Sequence, residues 1–163
     1  MVGNPTGTCG RPLVAAPALR DQFGQDWPFP PVEGPDQPGH DATWLIFIPG
    51  AYTPVCMSEL EEVSDLARQL EGVGVGLRLI APDSAPVLRF VSDQLGLTVP
   101  FLSDFWPHGA AAQYYGVFDE NSGRPRRVSL LIDRAGHVLE TLNSTSGTRN
   151  MLEHLSVLQN QKQ

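Results

Sequence analysis

Apolar residues follow two patterns along this chain, short continuous runs and helical spacing. The run Thr43–Ile48 is bounded by turn-forming residues, which is typical of a strand buried on both faces. Between Glu59 and Leu70 apolar residues recur every three or four positions and acidic residues fill the others, which predicts an amphipathic helix. The apolar side of that helix comprises Leu60, Val63, Ala67 and Leu70. A buried strand followed by such a helix is the beginning of an α/β unit.

The rest of the pattern continues this alternation. It predicts a buried strand in Val73–Asp83, a helix over Ala85–Gly96, a short strand over Val99–Asp104, a short helix in Gly109–Phe118, a hairpin over Arg127–Leu142 that turns at residues 133–136, and a final helix over Thr148–Asn160 with Leu152, Leu155 and Leu158 inward. Alternating units pair their strands in parallel, and the late hairpin adds an antiparallel edge. The predicted fold is therefore a thioredoxin-like α/β domain, a mixed central sheet flanked by helices.

The pattern also predicts the domain organisation. Residues 1–12 are rich in Gly, Pro, Thr and Asn without periodicity, so we expect a flexible N-terminal tail. The stretch Pro28–Asp41 holds five prolines. We interpret it as a loop, because too little chain precedes it to fold alone. Residues 13–163 are then a single domain.

Composition and charge narrow the class of protein. A chain of 163 residues can bury a sizeable core, and its net charge of -7 disfavours nucleic acid as a partner. No apolar run approaches the ~18 residues of a membrane span, and the first residues lack the apolar core of a secretory signal. Two cysteines make no disulfide framework. These features predict a protein of a reducing compartment, the cytoplasm, without a membrane partner.

Cys56 lies where the predicted helix should begin. With Thr53 as N-cap and Pro54 as the first helical residue, Cys56 occupies the first turn, where free N–H groups and the helix dipole favour a thiolate. Lowering a thiol pKa by about two units requires roughly 2.7 kcal/mol. A helix end contributes ~0.3–1 kcal/mol, or ~2 kcal/mol when partly buried. A cation should therefore assist, and an arginine is the obvious candidate. The alternative is that Cys56 is a small buried apolar residue.

The stretch FIPGAYTPVCMSE, residues 47–59, resembles the active-site loop of peroxiredoxins, P-x-x-x-T-x-x-C, here Pro49, Thr53 and Cys56. Residues 101–123 resemble the corresponding segment of the AhpE type of one-cysteine peroxiredoxin. Residues 126–136 resemble the arginine-bearing strand and hairpin of the family. The likeness extends from about Trp44 to the C-terminus, with a weaker similarity in residues 16–27.

This resemblance implies a thiol peroxidase and assigns roles to individual residues. Cys56 would be the peroxidatic thiolate, which attacks the terminal oxygen of a hydroperoxide and becomes a sulfenic acid. Thr53 would hold the peroxide and the sulfur through its hydroxyl, and Pro49 would shield the thiolate from water. The family uses no cofactor for this step.

An arginine would lower the thiol pKa and stabilise charge on the breaking O–O bond. Arg126 and Arg127 are both candidates, and only one can point at Cys56 because neighbours in a strand face opposite sides. We expect Arg127, which lies closer to the apolar run of the strand, at the position that the family pattern favours. Glu59 would pair with an arginine and orient it, or would be a solvated charge on the helix.

Regeneration of Cys56 requires a second thiol. Cys9 stands in the predicted tail, outside the resolving positions used by two-cysteine members of the family, so a Cys9–Cys56 disulfide stays open. Otherwise an external thiol acts, and the resemblance implies a low-molecular-weight thiol with a glutaredoxin-like protein, or thioredoxin. It also implies a homodimer built around the active-site loops, to which the segment Asp104–Gly109 would contribute.

The same scaffold could act as a redox sensor or protein-binding module with little peroxidase turnover. His40, His137 and His154 show no ligand spacing with cysteine or carboxylate, so no metal site is expected.

Overall fold

A computed structural model of the protein describes residues 19–34, 40–51, 54–106, 108–143 and 153–161, with the backbone alone for residues 54–59 and 159–161. The predicted tail with Cys9, the predicted N-cap Thr53 and the inward Leu152 lie outside these residues. The side chains of Cys56 and Glu59 lie outside them as well.

Nine strands and four helices make up this part of the chain. The strands are β1 (Leu19–Arg20), β2 (Asp26–Trp27), β3 (Ala42–Phe47), β4 (Val75–Ala81), β5 (Phe101–Ser103), β6 (Phe118–Asp119), β7 (Arg124–Pro125), β8 (Val128–Asp133) and β9 (Val138–Asn143). The helices are α1 (Pro54–Glu71), α2 (Ala85–Leu95), α3 (Ala110–Tyr114) and α4 (Glu153–Gln161).

Seven of the strands form one mixed sheet in the order β2-β1-β5-β4-β3-β8-β9, and β6 pairs with β7 separately. The strands β3, β4 and β5 run parallel, whereas β8 pairs antiparallel with β3 and β9 pairs antiparallel with β8. The register of β3 and β8 opposes Phe47 to Val128. The three parallel strands therefore end at one edge of the sheet, next to the start of β8.

The sheet separates two hydrophobic cores. One contains the inward residues of α1, α2 and α4, among them Leu60, Leu88 and Leu158. The other contains α3 and part of the proline-rich stretch, with Tyr115 and partly buried Phe29 packed together. Helices therefore cover both faces of the sheet, as the alternating pattern predicts.

Most predicted elements are present with shifted ends. Helix α1 begins at Pro54, as the capping argument predicts. It therefore starts before Glu59, where the periodic apolar pattern begins. Helix α2 ends at Leu95 and is capped by Gly96, which has the left-handed backbone conformation that favours glycine. The β8–β9 hairpin turns at residues 133–136, as predicted, through a hydrogen bond from Gly136 N to Asp133 O.

Four strands are absent from the sequence prediction. These strands, β1, β2, β6 and β7, have two residues each, so none is long enough to display an alternating pattern. Two of them, β6 and β7, nevertheless matter for the site, because their turn lies at the edge where the parallel strands end.

A buried arginine fastens the proline-rich stretch onto the sheet. Arg78, on β4, donates from Nε to Pro31 O at 3.2 Å and from Nη2 to Val32 O at 3.0 Å. Its guanidinium carbon lies 5.1 Å from the Trp27 ring centroid. Burial lowers the pKa of Arg78 to about 10, with the nearby Glu71 acting in the opposite direction, so the group is charged at neutral pH. The described part of this stretch contains no helix or strand, and the contacts with Arg78 hold it against the sheet.

Strand β8 is buried on both faces and carries one polar pair in its interior. Ser129 and His154 are fully buried, and the Ser129 hydroxyl lies 2.9 Å from His154 Nε2. The His154 ring stands edge-on to Trp44. This contact joins β8 to the start of α4.

Candidate active site

Cys56 is the third residue of α1, an 18-residue helix that begins where the loop after β3 ends. The first-turn N–H groups of a helix have no partner within the helix, and the positive end of its dipole lies there. Both features favour the anionic form of a cysteine at this position. The fold therefore places Cys56 at the carboxyl edge of the parallel strands, where ligand sites gather in α/β sheets.

Residues 48–53, which link β3 to α1, are here called the approach loop, and the described part of the loop is held to β4 and to the loop after β4. Ile48 N donates to Ile80 O at 3.0 Å, and Ala51 N donates to Asp83 Oδ2 at 2.7 Å. Ala51 is fully buried and Pro49 is half-buried. The described part of the loop is thus fixed at two points before the helix begins.

An open depression of about 470 Å³ lies at this edge of the sheet. Four connections meet around it: the approach loop, the loops after β4 and β5, and the β6–β7 turn. Its lining residues are Pro49, Gly50, Pro82, Asp83, Phe105, His108, Gly123 and Arg124. Pro49 is the predicted site residue among them, and Gly50 lies in the same predicted active-site loop. Phe105 and His108 lie in the segment predicted to contribute to a dimer, whereas Pro82 and Asp83 carried no functional signal in the sequence.

The two candidate arginines lie in different surroundings. Arg126 is exposed, its Nη2 donates to Gly116 O at 2.8 Å, and its backbone N donates to Val117 O. Arg127 is half-buried and directly precedes Val128, the residue of β8 opposite Phe47. Both hydrogen bonds of Arg126 therefore go to the segment after α3. Arg127 lies next to the beginning of the approach loop in the register of β3 and β8.

A buried carboxylate that the sequence did not single out organises the loop after β5. Asp104 accepts hydrogen bonds from Ala111 N at 2.9 Å and Ala112 N at 3.0 Å, and its own backbone N donates to Ala81 O. Burial raises the pKa of Asp104 to about 6, although the two backbone donors oppose that shift. The side chain therefore fixes the start of α3 beside the depression.

The AhpC/TSA family model matches residues 17–141, which is most of the chain. The chain belongs to the AhpC/TSA family.

Individual AhpC/TSA proteins show how far the likeness extends. Alkyl hydroperoxide reductase E of Mycobacterium tuberculosis is 39% identical over 92 residues, and so is the protein of that name from Mycobacterium bovis. The match spans 56% of this chain and only 60% of the length of those relatives. The predicted similarity to the AhpE type is confirmed by this identity.

Solved AhpC/TSA structures share the fold. Peroxidoxin BcpB from Mycobacterium tuberculosis superposes with a TM-score of 0.75 at 24% identity, covering 88% of this chain and 91% of that one. Enterococcus faecalis AhpC gives a TM-score of 0.74 at 22% identity, with 89% and 86% covered. The predicted thioredoxin-like fold is confirmed.

Among the residues that the structure describes, no three His, Cys, Asp or Glu side chains come close enough to hold a metal ion. Within the same residues, no helix has the length and apolar character needed to cross a bilayer.

Proposed function

We propose that this protein is a thiol-dependent peroxidase that reduces hydrogen peroxide and organic hydroperoxides through Cys56. The observation that carries the proposal is the position of Cys56 in the first turn of α1, at the carboxyl edge of the sheet in an AhpC/TSA chain. That position favours the thiolate, which is the reactive form of cysteine. The adjoining depression gives a small hydroperoxide access to this edge.

The proposed first step is a two-electron transfer. The Cys56 thiolate attacks the terminal oxygen of the hydroperoxide, a sulfur–oxygen bond forms, and the O–O bond breaks. Sulfur is oxidised to the sulfenic acid, and the peroxide is reduced to water or an alcohol once the leaving oxygen takes a proton. Regeneration needs two equivalents of an external thiol. The first forms a mixed disulfide and releases water, and the second displaces Cys56 and leaves as the disulfide.

Arg127 is the proposed cation of the site. Along β8, Val128 and Leu130 pack in the core that contains α3, whereas Leu131 packs in the core that contains α1. Alternation continued by one residue before the strand puts Arg127 on the α1 side. Arg126, which bonds to Gly116 O, fits the opposite side. A guanidinium on the α1 side would favour the thiolate and stabilise the leaving oxygen.

Further roles are proposed by analogy with the family motif. Thr53 would hold the peroxide, Pro49 would shield the sulfur, and Glu59 would orient an arginine. Pro49 lines the depression, which supports its assignment.

The partners and surroundings are proposals as well. We propose a low-molecular-weight thiol with a glutaredoxin-like protein, or thioredoxin, as reductant, and a homodimer in the cytoplasm. Residues 13–163 would form the single domain and residues 1–12 its tail, with Cys9 as an optional resolving thiol.

Stopped-flow tryptophan fluorescence with hydrogen peroxide and an organic hydroperoxide tests the function. We expect rapid second-order oxidation that is lost in Cys56→Ser. A rate constant no greater than that of a free cysteine would overturn the proposal. Rapid oxidation without turnover in the presence of thiol reductants would instead indicate the redox sensor.

A matched pair of variants tests the arginine assignment. Arg127→Gln should lower the rate constant with peroxide by about 100-fold, the usual loss when one donor to a developing oxyanion is removed. Arg126→Gln removes the same charge one residue away and should stay within about threefold of the parent protein, given its bond to Gly116 O. The reverse order of the two variants would assign the role to Arg126.

A further inference from the structure

Asp83 occupies a central place among the loops at the carboxyl edge of the sheet. It follows β4 by two residues and lines the depression beside Pro49. Its carboxylate accepts from Ala51 N at 2.7 Å, across 32 positions of sequence. This distance is at the short end of the range for N–H···O bonds, as expected when the acceptor is charged.

The main chain of Asp83 is itself held in place. The hydroxyl of Ser103, at the end of β5, donates to Asp83 O at 2.6 Å, and the same hydroxyl accepts from Phe105 N at 3.3 Å. Ser103 thus joins the loop after β5 to Asp83, and Asp83 joins both to the approach loop. Three loops that follow adjacent parallel strands are connected through two side chains.

The hydrogen bond from Asp83 reaches the approach loop inside the motif, between Pro49 and Thr53. Ala51 lies two residues before Thr53 and five before Cys56, and it is fully buried. A buried N–H that loses its acceptor keeps its full desolvation cost, so the chain around it would shift to find another partner or water. Such a shift would be passed directly to the start of α1.

We infer that Asp83 is a positioning residue for the proposed peroxidatic reaction. Its carboxylate fixes the approach loop through Ala51 N–H, and Ser103 fixes Asp83 in turn. This inference rests on the proposed function of Cys56. The proposed role of Asp83 depends on its hydrogen bond and not on its negative charge, because a carboxylate near the sulfur would disfavour a thiolate.

Two substitutions separate the hydrogen bond from the charge. Asp83→Ala removes the acceptor, whereas Asp83→Asn keeps an amide oxygen that can accept from Ala51 N and removes only the charge. The rate constant of Cys56 oxidation by hydrogen peroxide should fall about tenfold in Asp83→Ala, the loss that an unpartnered buried donor is expected to produce. Asp83→Asn should stay within about threefold of the parent protein, because its hydrogen bond is retained. Ser103→Ala should lie between the two.

Two measurements distinguish positioning from general destabilisation. The pH profile of Cys56 alkylation by iodoacetamide reports the thiol pKa, and that rate at pH 7 should change by less than about threefold in Asp83→Ala, because alkylation needs a thiolate but no positioned peroxide. Amide hydrogen exchange at Ala51, followed by NMR, should be protected in the parent protein and in Asp83→Asn and unprotected in Asp83→Ala. Asp93→Ala, which removes an exposed carboxylate of α2 paired with Arg89, is the charge-matched control and should leave all three measurements unchanged.

Equal oxidation rates in Asp83→Ala and the parent protein would overturn the inference, and so would an Asp83→Asn variant as slow as Asp83→Ala. Unchanged protection of the Ala51 amide in Asp83→Ala would also overturn it. A parent protein that reacts no faster than free cysteine would overturn the proposed function instead. The exchange of Ala51 would then still decide whether Asp83 holds the loop.

Discussion

Asp104 shows how one buried carboxylate near the site couples protonation to stability. Both of its oxygens accept backbone hydrogen bonds, from Ala111 N and Ala112 N, yet burial raises its pKa to about 6 from an ordinary value of 3.8. The folded state therefore holds this proton more tightly than the unfolded state does. As pH rises from about 4 to 6, the unfolded chain loses its proton first, and the contribution of Asp104 to folding stability declines.

The pH dependence of unfolding tests this reading against Asp104→Asn, which cannot ionise. We expect the free energy of unfolding of the parent protein, measured relative to the variant by urea denaturation, to fall by about 2 kcal/mol between pH 4 and pH 7. Most of the decline should occur below pH 6.5. A difference between the two proteins that stays constant over this range would contradict the raised pKa of Asp104.

Sequence spacing identifies some residues of the site and is silent about others. Pro49, Thr53 and Cys56 stand within eight positions of one another, so their pattern is visible in the chain itself. Asp83 bonds to Ala51 N, which is 32 positions away in the sequence. Arg78 bonds to two carbonyls of the proline-rich stretch, which are 46 and 47 positions away. Backbone partners can belong to any residue type, so no side-chain pattern marks them before the fold is known.

At the scale of elements, the short helix α3 depends on the glycine that precedes it. Gly109 has φ of +64°, in the left-handed region, and it is buried. A Cβ atom added there would lie 2.5 Å from Cε1 of Phe118, on β6. Gly109 is required both by the backbone conformation and by the close approach of that ring.

A pair of glycine substitutions separates these two requirements. Gly109→Ala should lower the free energy of unfolding by about 2–4 kcal/mol, the sum of left-handed strain and overpacking against Phe118. Gly24→Ala is the control, because Gly24 also has positive φ but nothing within 4 Å of an added Cβ, and it should lose only about 1 kcal/mol. Urea denaturation measures both. Equal losses in the two variants would show that the Phe118 ring moves aside without cost.

Element prediction succeeded where the periodic signal was long. Helix α1 has 18 residues, so its helical spacing repeats several times, and strand β4 has seven consecutive buried residues. The two-residue strands β6 and β7 pair only Phe118 with Pro125 and Asp119 with Arg124. Their position is set by tertiary packing against the rest of the fold, which local sequence does not report.

Across the whole molecule, a pair of exposed aromatic side chains lies near the proposed site. Trp106 is 67% exposed and Phe105 is 50% exposed, and both rings stand edge-on to His108. Large aromatic side chains at a surface are the residues that most often carry binding energy in protein interfaces. This patch is the part of the described surface that supports the proposed homodimer.

Analytical ultracentrifugation tests the role of the patch. Trp106→Glu should weaken dimerisation by at least about 30-fold, because it replaces an interface anchor by a charge. Leu139→Glu is the control, since Leu139 is 44% exposed on the outer strand β9, away from the patch, and the dimer should persist. A Trp106→Glu protein that remains dimeric at micromolar concentration would remove the patch from the interface.

The buried pair of Ser129 and His154 has a consequence for the proposed chemistry at the start of β8. Two adjacent arginines precede this strand, and sliding it by one position against β3 would exchange which guanidinium takes the place of Arg127. The apolar residues of β8 would oppose such sliding only weakly, because both faces of the strand are buried and an apolar side chain can pack on either one. Such sliding would separate the Ser129 hydroxyl from its imidazole partner, so this buried hydrogen bond favours the native alignment of β8 and, with it, the proposed position of Arg127.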